Sequence, residues 1–264
     1  MTKRLNFAPY VLCFFAFLLY SCHEEHTPGI VIIPAAEPKT FTVDSISFTM
    51  VGVEGGTFTM GATQEIPNPY DDETPAHKVT LSTFMISETE VTQALWDAVM
   101  AYNPSSFLHP ELPVDNVAWE ECQDFIDKLN KLTHQHFRLP TEAEWEYACR
   151  GGQKSRHAPF SGSRTLDEVG WYRGNCKEPQ PVHQLMPNEL GLYDMSGNVW
   201  EWCNDYYAPY PEDSIVNPKG PAEGNYHVCR GGCWSGGTRG CSPTIRSRLK
   251  PGGRRNVVGF RLAM

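Results

Sequence analysis

The sequence predicts an α+β domain with little regular secondary structure. Three observations point to it: amphipathic helical periods confined to the first 150 residues, short alternating apolar runs around them, and an irregular second half dominated by Gly, Pro and aromatic residues. With 22 glycines and 21 prolines in 264 residues, turns outweigh long helices. At 41% hydrophobic and 20% charged side chains the chain can build a core, which excludes a fibrous or wholly disordered protein. A net charge of -9 with no polybasic run excludes general nucleic-acid binding, which needs a basic footprint.

Along the chain, Ile46, Phe48 and Met50 alternate before Gly55-Gly56, and Phe58 and Met60 alternate after it, which predicts a β-hairpin over 46–60. The polar, proline-bearing stretch 65–75 is a loop. Val79, Leu81 and Met85 predict one half-buried strand over 77–86. Val91, Leu95, Ala98, Val99 and Tyr102 follow helical spacing until Asn103-Pro104 stops it. A second helix is marked by Ala118, Cys122, Phe125, Ile126, Leu129 and Leu132 on one face, with Glu120, Glu121, Asp124 and Lys128 on the other. A third opens after Pro140, where Thr141 and Glu144 spell a reciprocal capping box. Beyond Arg150 only short apolar pairs remain, such as Leu192-Tyr193 and Val199-Trp200. The duplicated Cys-Arg-Gly-Gly at Cys149 and Cys229 is too short to be a repeat.

Residues 1–21 read as an export signal, because Lys3 and Arg4 precede an apolar run, Val11 to Leu19, too short to span a bilayer. The run ends in Leu19-Tyr20-Ser21-Cys22, which resembles the bacterial lipoprotein lipobox. That resemblance implies that Cys22 becomes the lipidated first residue and anchors the protein to a membrane of the bacterial cell envelope, on its periplasmic or surface side. An ordinary signal peptide cut near Ser21 is the alternative. Residues 22–43 then form a linker to a domain spanning 44–264. With Cys13 removed and Cys22 lipidated, Cys122, Cys149, Cys176, Cys203, Cys229, Cys233 and Cys241 remain. The number is odd, so in an oxidising compartment at least one thiol is free, metal-bound or paired between chains. The absence of a Cys-x-x-Cys pair argues against zinc-ribbon and thioredoxin-type sites.

Five ordered segments carry a wider resemblance: FTMG (Phe58 to Gly61), RLPTEAEWEYACRGG (Arg138 to Gly152), GLYDMSGNVWEW (Gly191 to Trp202), RGGCW (Arg230 to Trp234) and GFRLA (Gly259 to Ala263). Together they resemble the formylglycine-generating enzymes, or sulfatase-modifying factors. The resemblance implies a variant of the C-type-lectin-like fold over 44–264. It also implies an activity, the copper- and oxygen-dependent oxidation of a sulfatase cysteine to formylglycine.

The segment Asp194 to Glu201 sets two carboxylates around a Ser-Gly-Asn turn, and hard oxygen donors of this kind suit calcium. By resemblance, Asp194, the backbone carbonyls of Gly197 and Val199, and Glu201 hold a structural calcium ion. Without it, Asp194 caps a turn and Glu201 pairs with a C-terminal arginine. The family's other calcium site falls in a stretch shortened here between Gly170 and Pro187 and is not assigned.

Copper(I) prefers thiolates, and the resembled enzymes present two cysteines five residues apart after a Gly-Gly-Ser motif. Carried onto Gly231-Gly232, the second cysteine is Cys241, the first is replaced by Gly236, and the serine is Cys233. Glycine has no ligand atom. In an extended segment, at ~3.3 Å per residue, Cys233 lies about 10 Å from position 236 and on the opposite face. The two-thiolate site is therefore expected to be absent, and a disulfide from Cys241 to Cys203, Cys229 or Cys233 is the alternative fate of that thiol. Only a local refold would make Cys241 and Cys233 a catalytic copper pair.

Eight basic residues crowd the last 35 positions, from Arg230 to Arg261, either as a site for a carboxylate or sulfate or as internal pairs bracing an irregular fold. Trp200 and Trp202 are expected in the core, with Tyr206, Tyr207 and Tyr210 more exposed and able to stack on sugars. No GxSxG or HExxH motif occurs, and His134 and His136 are expected at the surface. The expected function is a lipid-anchored domain without oxidase activity that binds an envelope protein, peptide or glycan. The alternative is a diverged formylglycine-generating oxidase.

Overall fold

The computed structural model describes residues 33–264 except 65 and 67. The export signal and Cys22 lie outside the described residues.

Strands β1 (Lys39–Val43) and β2 (Ile46–Val53) form an antiparallel hairpin turned by Asp44 and Ser45, both at positive φ. β1 falls in the stretch read as linker. Its two apolar side chains, Phe41 and Val43, give too little alternation to mark a strand. Tertiary contacts fix it instead, since Phe41 stacks on Phe48 at 5.7 Å and meets Phe137 edge-on at 5.1 Å.

The hairpin expected over 46–60 does not form. β3 (Gly56–Met60) pairs with β4 (His77–Leu81), while β2 pairs with β5 (Phe84–Ser87), so the two halves of the expected hairpin belong to different sheets. The single strand expected over 77–86 is likewise two strands, broken at Ser82 and Thr83. The switch is built locally: Gly55 N donates to Thr83 Oγ1 at 3.0 Å, and a β-carbon at Gly55 would stand 2.5 Å from the Leu81 carbonyl oxygen. Alternation reports which side chains are buried and says nothing about which strand supplies the partner.

The three helices occur where their periods put them. α1 (Gln93–Val99) is capped by Thr92, whose hydroxyl accepts from Leu95 N at 3.2 Å. α2 (Trp119–Thr133) ends at His134 in the left-handed conformation and buries Cys122, Phe125, Ile126 and Leu129, whereas Leu132 is exposed. Trp96 of α1 lies flat on Phe125 of α2 at 5.3 Å, with Phe260 edge-on to both, at the centre of one core cluster. α3 (Glu142–Cys149) opens with the expected capping box: Glu144 N donates to Thr141 Oγ1 at 3.2 Å and Thr141 N to Glu144 Oε2 at 2.9 Å. It is buried nearly all round and anchors the second core cluster through Trp145 and Tyr147.

Beyond α3 regular structure thins out as expected. The one-turn α4 (Leu166–Val169) leads into β6 (Gly170–Trp171), which runs parallel to β7 (Ser196–Gly197). β8 (Trp200–Tyr206) is central in a four-stranded sheet, and β9 (Ile215–Val216) adds to β4. β10 (His227–Arg230), β11 (Ser247–Leu249) and β12 (Val258–Gly259) complete the order β11-β10-β8-β12. Ala263 bridges Ile86 and Arg138, so the C-terminus closes the domain onto β5 and the entry to α3. Among the described residues, no helix is long and apolar enough to cross a membrane.

Candidate functional site

β10 delivers the chain to Gly231 and Gly232, both at positive φ, and a β-carbon at Gly232 would stand 2.4 Å from the Gly240 carbonyl oxygen. That contact folds residues 233–241 into a compact loop. Within it Gly236 N donates to the Cys233 carbonyl at 2.9 Å, closing a tight turn, and Thr238–Cys241 form one turn of 3-10 helix. The extended geometry expected for this segment is therefore wrong. A β-carbon at position 236 would lie 3.6 Å from Cys233 Sγ, so the sulfur stands beside position 236 rather than on the far side of a strand. The turn forms because its backbone is claimed from outside: Trp234 N donates to Asn198 O at 2.7 Å and Arg173 N to Gly236 O at 3.0 Å.

Cys241 is fully buried, its Sγ directed to the Gly237 carbonyl at 3.9 Å. Cys203 lies in β8, which pairs with the β10 strand that carries Cys229 and Arg230. All seven described cysteines carry free thiols, so the expected disulfide from Cys241 to Cys203, Cys229 or Cys233 is absent from this structure. Burial first, and then the neighbouring sulfurs, push the Cys241 thiol up to about 12; burial and Cys233 push Cys176 up to about 11. Sequence reasoning missed Cys176. The odd thiol count was its only signal, because the loop that brings it to Cys233 has no recurring spacing.

Asp194, Gly197 and Asn198 all have positive φ, which wraps this segment tightly. Asp194 Oδ2 accepts from His183 N at 2.8 Å, while its Oδ1 is buried without a partner. Glu201, fully buried, accepts from Trp145 Nε1 at 2.6 Å and from Arg261 Nε and Nη2 at 2.6 and 2.7 Å, so the arginine pairing is present. A third carboxylate, Glu90, was not legible: it accepts from Val199 N at 3.2 Å and from Asn198 Nδ2 at 2.8 Å across more than a hundred residues of chain. Burial and the charges of Asp194 and Glu201 push Glu90 well above the usual carboxylate range. Burial pushes Asp194 up to about 6. Glu201 is engaged by Trp145 and Arg261 and Glu90 by Asn198 and Val199, so Asp194 Oδ1 is the buried, unpartnered carboxylate oxygen of this cluster that could face a hard cation. Among the described residues, no three His, Cys, Asp or Glu side chains are themselves grouped as a metal site. Calcium would thus depend on backbone oxygens such as those of Gly197 and Val199.

The C-terminal arginines mostly brace the fold. Arg230 donates to the carbonyls of Thr244, Ile245 and Pro243 at 2.9, 2.8 and 2.8 Å and pairs with Glu146. Arg246 grips both oxygens of Glu142 at 2.7 and 2.8 Å, Arg239 pairs with Glu73, and Arg254 meets Glu121 at 2.9 Å. Tyr210, expected to be exposed, is buried beneath the Arg246 guanidinium, 4.0 Å from the ring centre. Trp202 is buried, and His134 and His136 are exposed, as expected.

Fold and site together define a class of protein, one built on the formylglycine-generating-enzyme type of fold. The profile of the sulfatase-modifying factor enzyme 1-like domain matches residues 35–264, and the chain belongs to this family. It is 34% identical to the chaperone protein LppX of Paenibacillus barcinonensis over 72% of this chain and 80% of that protein. It is 29% identical to the formylglycine-generating enzyme of Streptomyces coelicolor over 87% of this chain and 91% of the enzyme. Among solved structures, Treponema denticola variable protein 1 superposes with a TM-score of 0.80 at 34% identity, covering 86% of this chain and 99% of that one.

Proposed function

We propose that this protein is a lipid-anchored module of the bacterial envelope that binds a partner protein, peptide or glycan during assembly, without formylglycine-forming oxidation. The observation that carries the reading is position 236. The family's first copper-binding cysteine is a glycine there, which has no ligand atom, so Cys241 is left without the family's partner thiol. The similarity to a protein named as a chaperone, along most of its length, supports a binding role. The anchor is assigned to Cys22, and a structural calcium ion to Asp194, the carbonyls of Gly197 and Val199, and Glu201.

A second reading rests on one specific observation, the Cys233 sulfur beside position 236. In it, Cys241 and Cys233 hold copper(I), which supplies the oxygen chemistry, and the domain oxidises a sulfatase cysteine. One assay separates the two: the purified chain, loaded with copper under anaerobic conditions, is given oxygen and a Cys-x-Pro-x-Arg peptide. An unchanged peptide mass is expected. A peptide aldehyde lost in Cys241→Ser would replace the first reading with the second.

A further inference from the structure

Three sulfurs from two separated segments converge on the turn at 233–236. The first segment is held by Asn175, whose Oδ1 accepts from Tyr172 N at 2.9 Å and whose Nδ2 donates to the Gly170 carbonyl at 2.9 Å. This places Cys176 beside the turn: its Sγ donates to the Tyr172 carbonyl at 3.3 Å and lies 3.8 Å from the carbonyl of Trp234, the residue that follows Cys233. Cys233 Sγ lies 3.5 Å from the Ser235 hydroxyl. Cys241 lies deeper, its Sγ directed to the Gly237 carbonyl at 3.9 Å. Cys233 and Trp234 are consecutive, so the carbonyl that Cys176 Sγ approaches belongs to the same turn that carries the Cys233 sulfur. Of the three, Cys176 is the partly exposed one, while Cys233 and Cys241 are buried.

We propose that Cys176 and Cys233 form a disulfide that small thiols and disulfides close and open through the exposed Cys176, with Cys241 left as a buried free thiol. The chemistry balances with oxidised glutathione as oxidant. The Cys176 thiolate attacks one sulfur of the glutathione disulfide, breaking its S–S bond and releasing one glutathione thiol. Cys233 then attacks the Cys176 sulfur of the mixed disulfide, and the second glutathione leaves. Two protein thiols are oxidised, one glutathione disulfide becomes two thiols, and both protein protons leave with them. Closing this bond staples the 170–176 segment to the 233–236 turn. It also occupies Cys233, so Cys233 and Cys241 are available as a pair only in the reduced protein.

The test uses the full chain, reduced, exposed to oxidised glutathione, quenched with N-ethylmaleimide and mapped by mass spectrometry without reduction. The expected product is a peptide pair linking Cys176 to Cys233 that dithiothreitol reverses, with Cys241 alkylated only after denaturation. Cys233→Ser should instead trap glutathione on Cys176. Wild-type protein in which Cys176 stays free, keeps glutathione without passing it on, or leaves Cys233 bonded to Cys241 would overturn the proposal.

Discussion

Arg230→Met tests whether the loop after the thiol turn is held by one buried cation. Arg230 has no exposed surface, and its two terminal nitrogens satisfy three consecutive carbonyls, those of Pro243, Thr244 and Ile245, while pairing with Glu146 of α3. Burial opposes the charge, but Tyr210 and the Glu146 and Glu142 carboxylates more than offset it, and the guanidinium titrates above its ordinary value. Methionine keeps the bulk and strands the carbonyls. A buried acceptor left unpaired costs about 1–3 kcal/mol, and breaking a buried ion pair about 3–5 kcal/mol. These overlap, because Glu146 keeps Arg150, whose Nε lies 2.9 Å from its Oε1. A net loss of about 5 kcal/mol follows, a large share of the ~5–15 kcal/mol stability of a typical domain. In urea, with m near 3 kcal/mol/M, the midpoint should fall by about 1.5–2 M at unchanged m. The double variant with Glu146→Gln should lose less than the sum of the single variants by at least about 1 kcal/mol. A midpoint within about 0.3 M of wild type would refute the account of Arg230 as the clasp of this loop.

Other perturbations address the remaining features. Burial, reinforced by the charge of Glu142, pushes Asp205 up to about 8 in the folded state, above its unfolded value near 3.8. The unfolded chain then binds fewer protons between those values, so this group lowers stability as pH rises from about 4 to 8. Asp205→Asn should flatten that part of the stability-pH curve in denaturant titrations, and a superimposable curve would remove Asp205 from the explanation. If calcium sits at Asp194, chelation lowers Tm, and the chelator-sensitive increment grows as pH passes about 6 and the carboxyl ionises. Asp194→Ala should abolish that sensitivity; equal chelator effects in both proteins would exclude the site. Cys22→Ala should move the protein from the membrane to the soluble fraction, and unchanged fractionation would exclude the anchor.

Where a local rule decides structure, the amino-acid sequence was sufficient. The capping box at Thr141 and Glu144, the apolar stripe of α2 and the thinning of structure after Arg150 all come from interactions within a few residues, so they can be read without a fold. The motif-bearing segments placed the chain in its family, and the profile match over 35–264 agrees. Tertiary structure alone decided pairing and convergence. Whether β2 joined β3 or β5 depended on Gly55 fitting beneath Leu81 and on the hydroxyl of Thr83, contacts that alternation does not encode. Glu90 reached Asn198, and Cys176 reached the Cys233 turn, through loops with no period to read. The compact fold at 233–236 likewise came from Asn198 and Arg173, distant in the chain, which claimed its backbone groups. Hydrogen bonds between remote segments are selected by the whole packed arrangement, and short-range spacing carries no record of them.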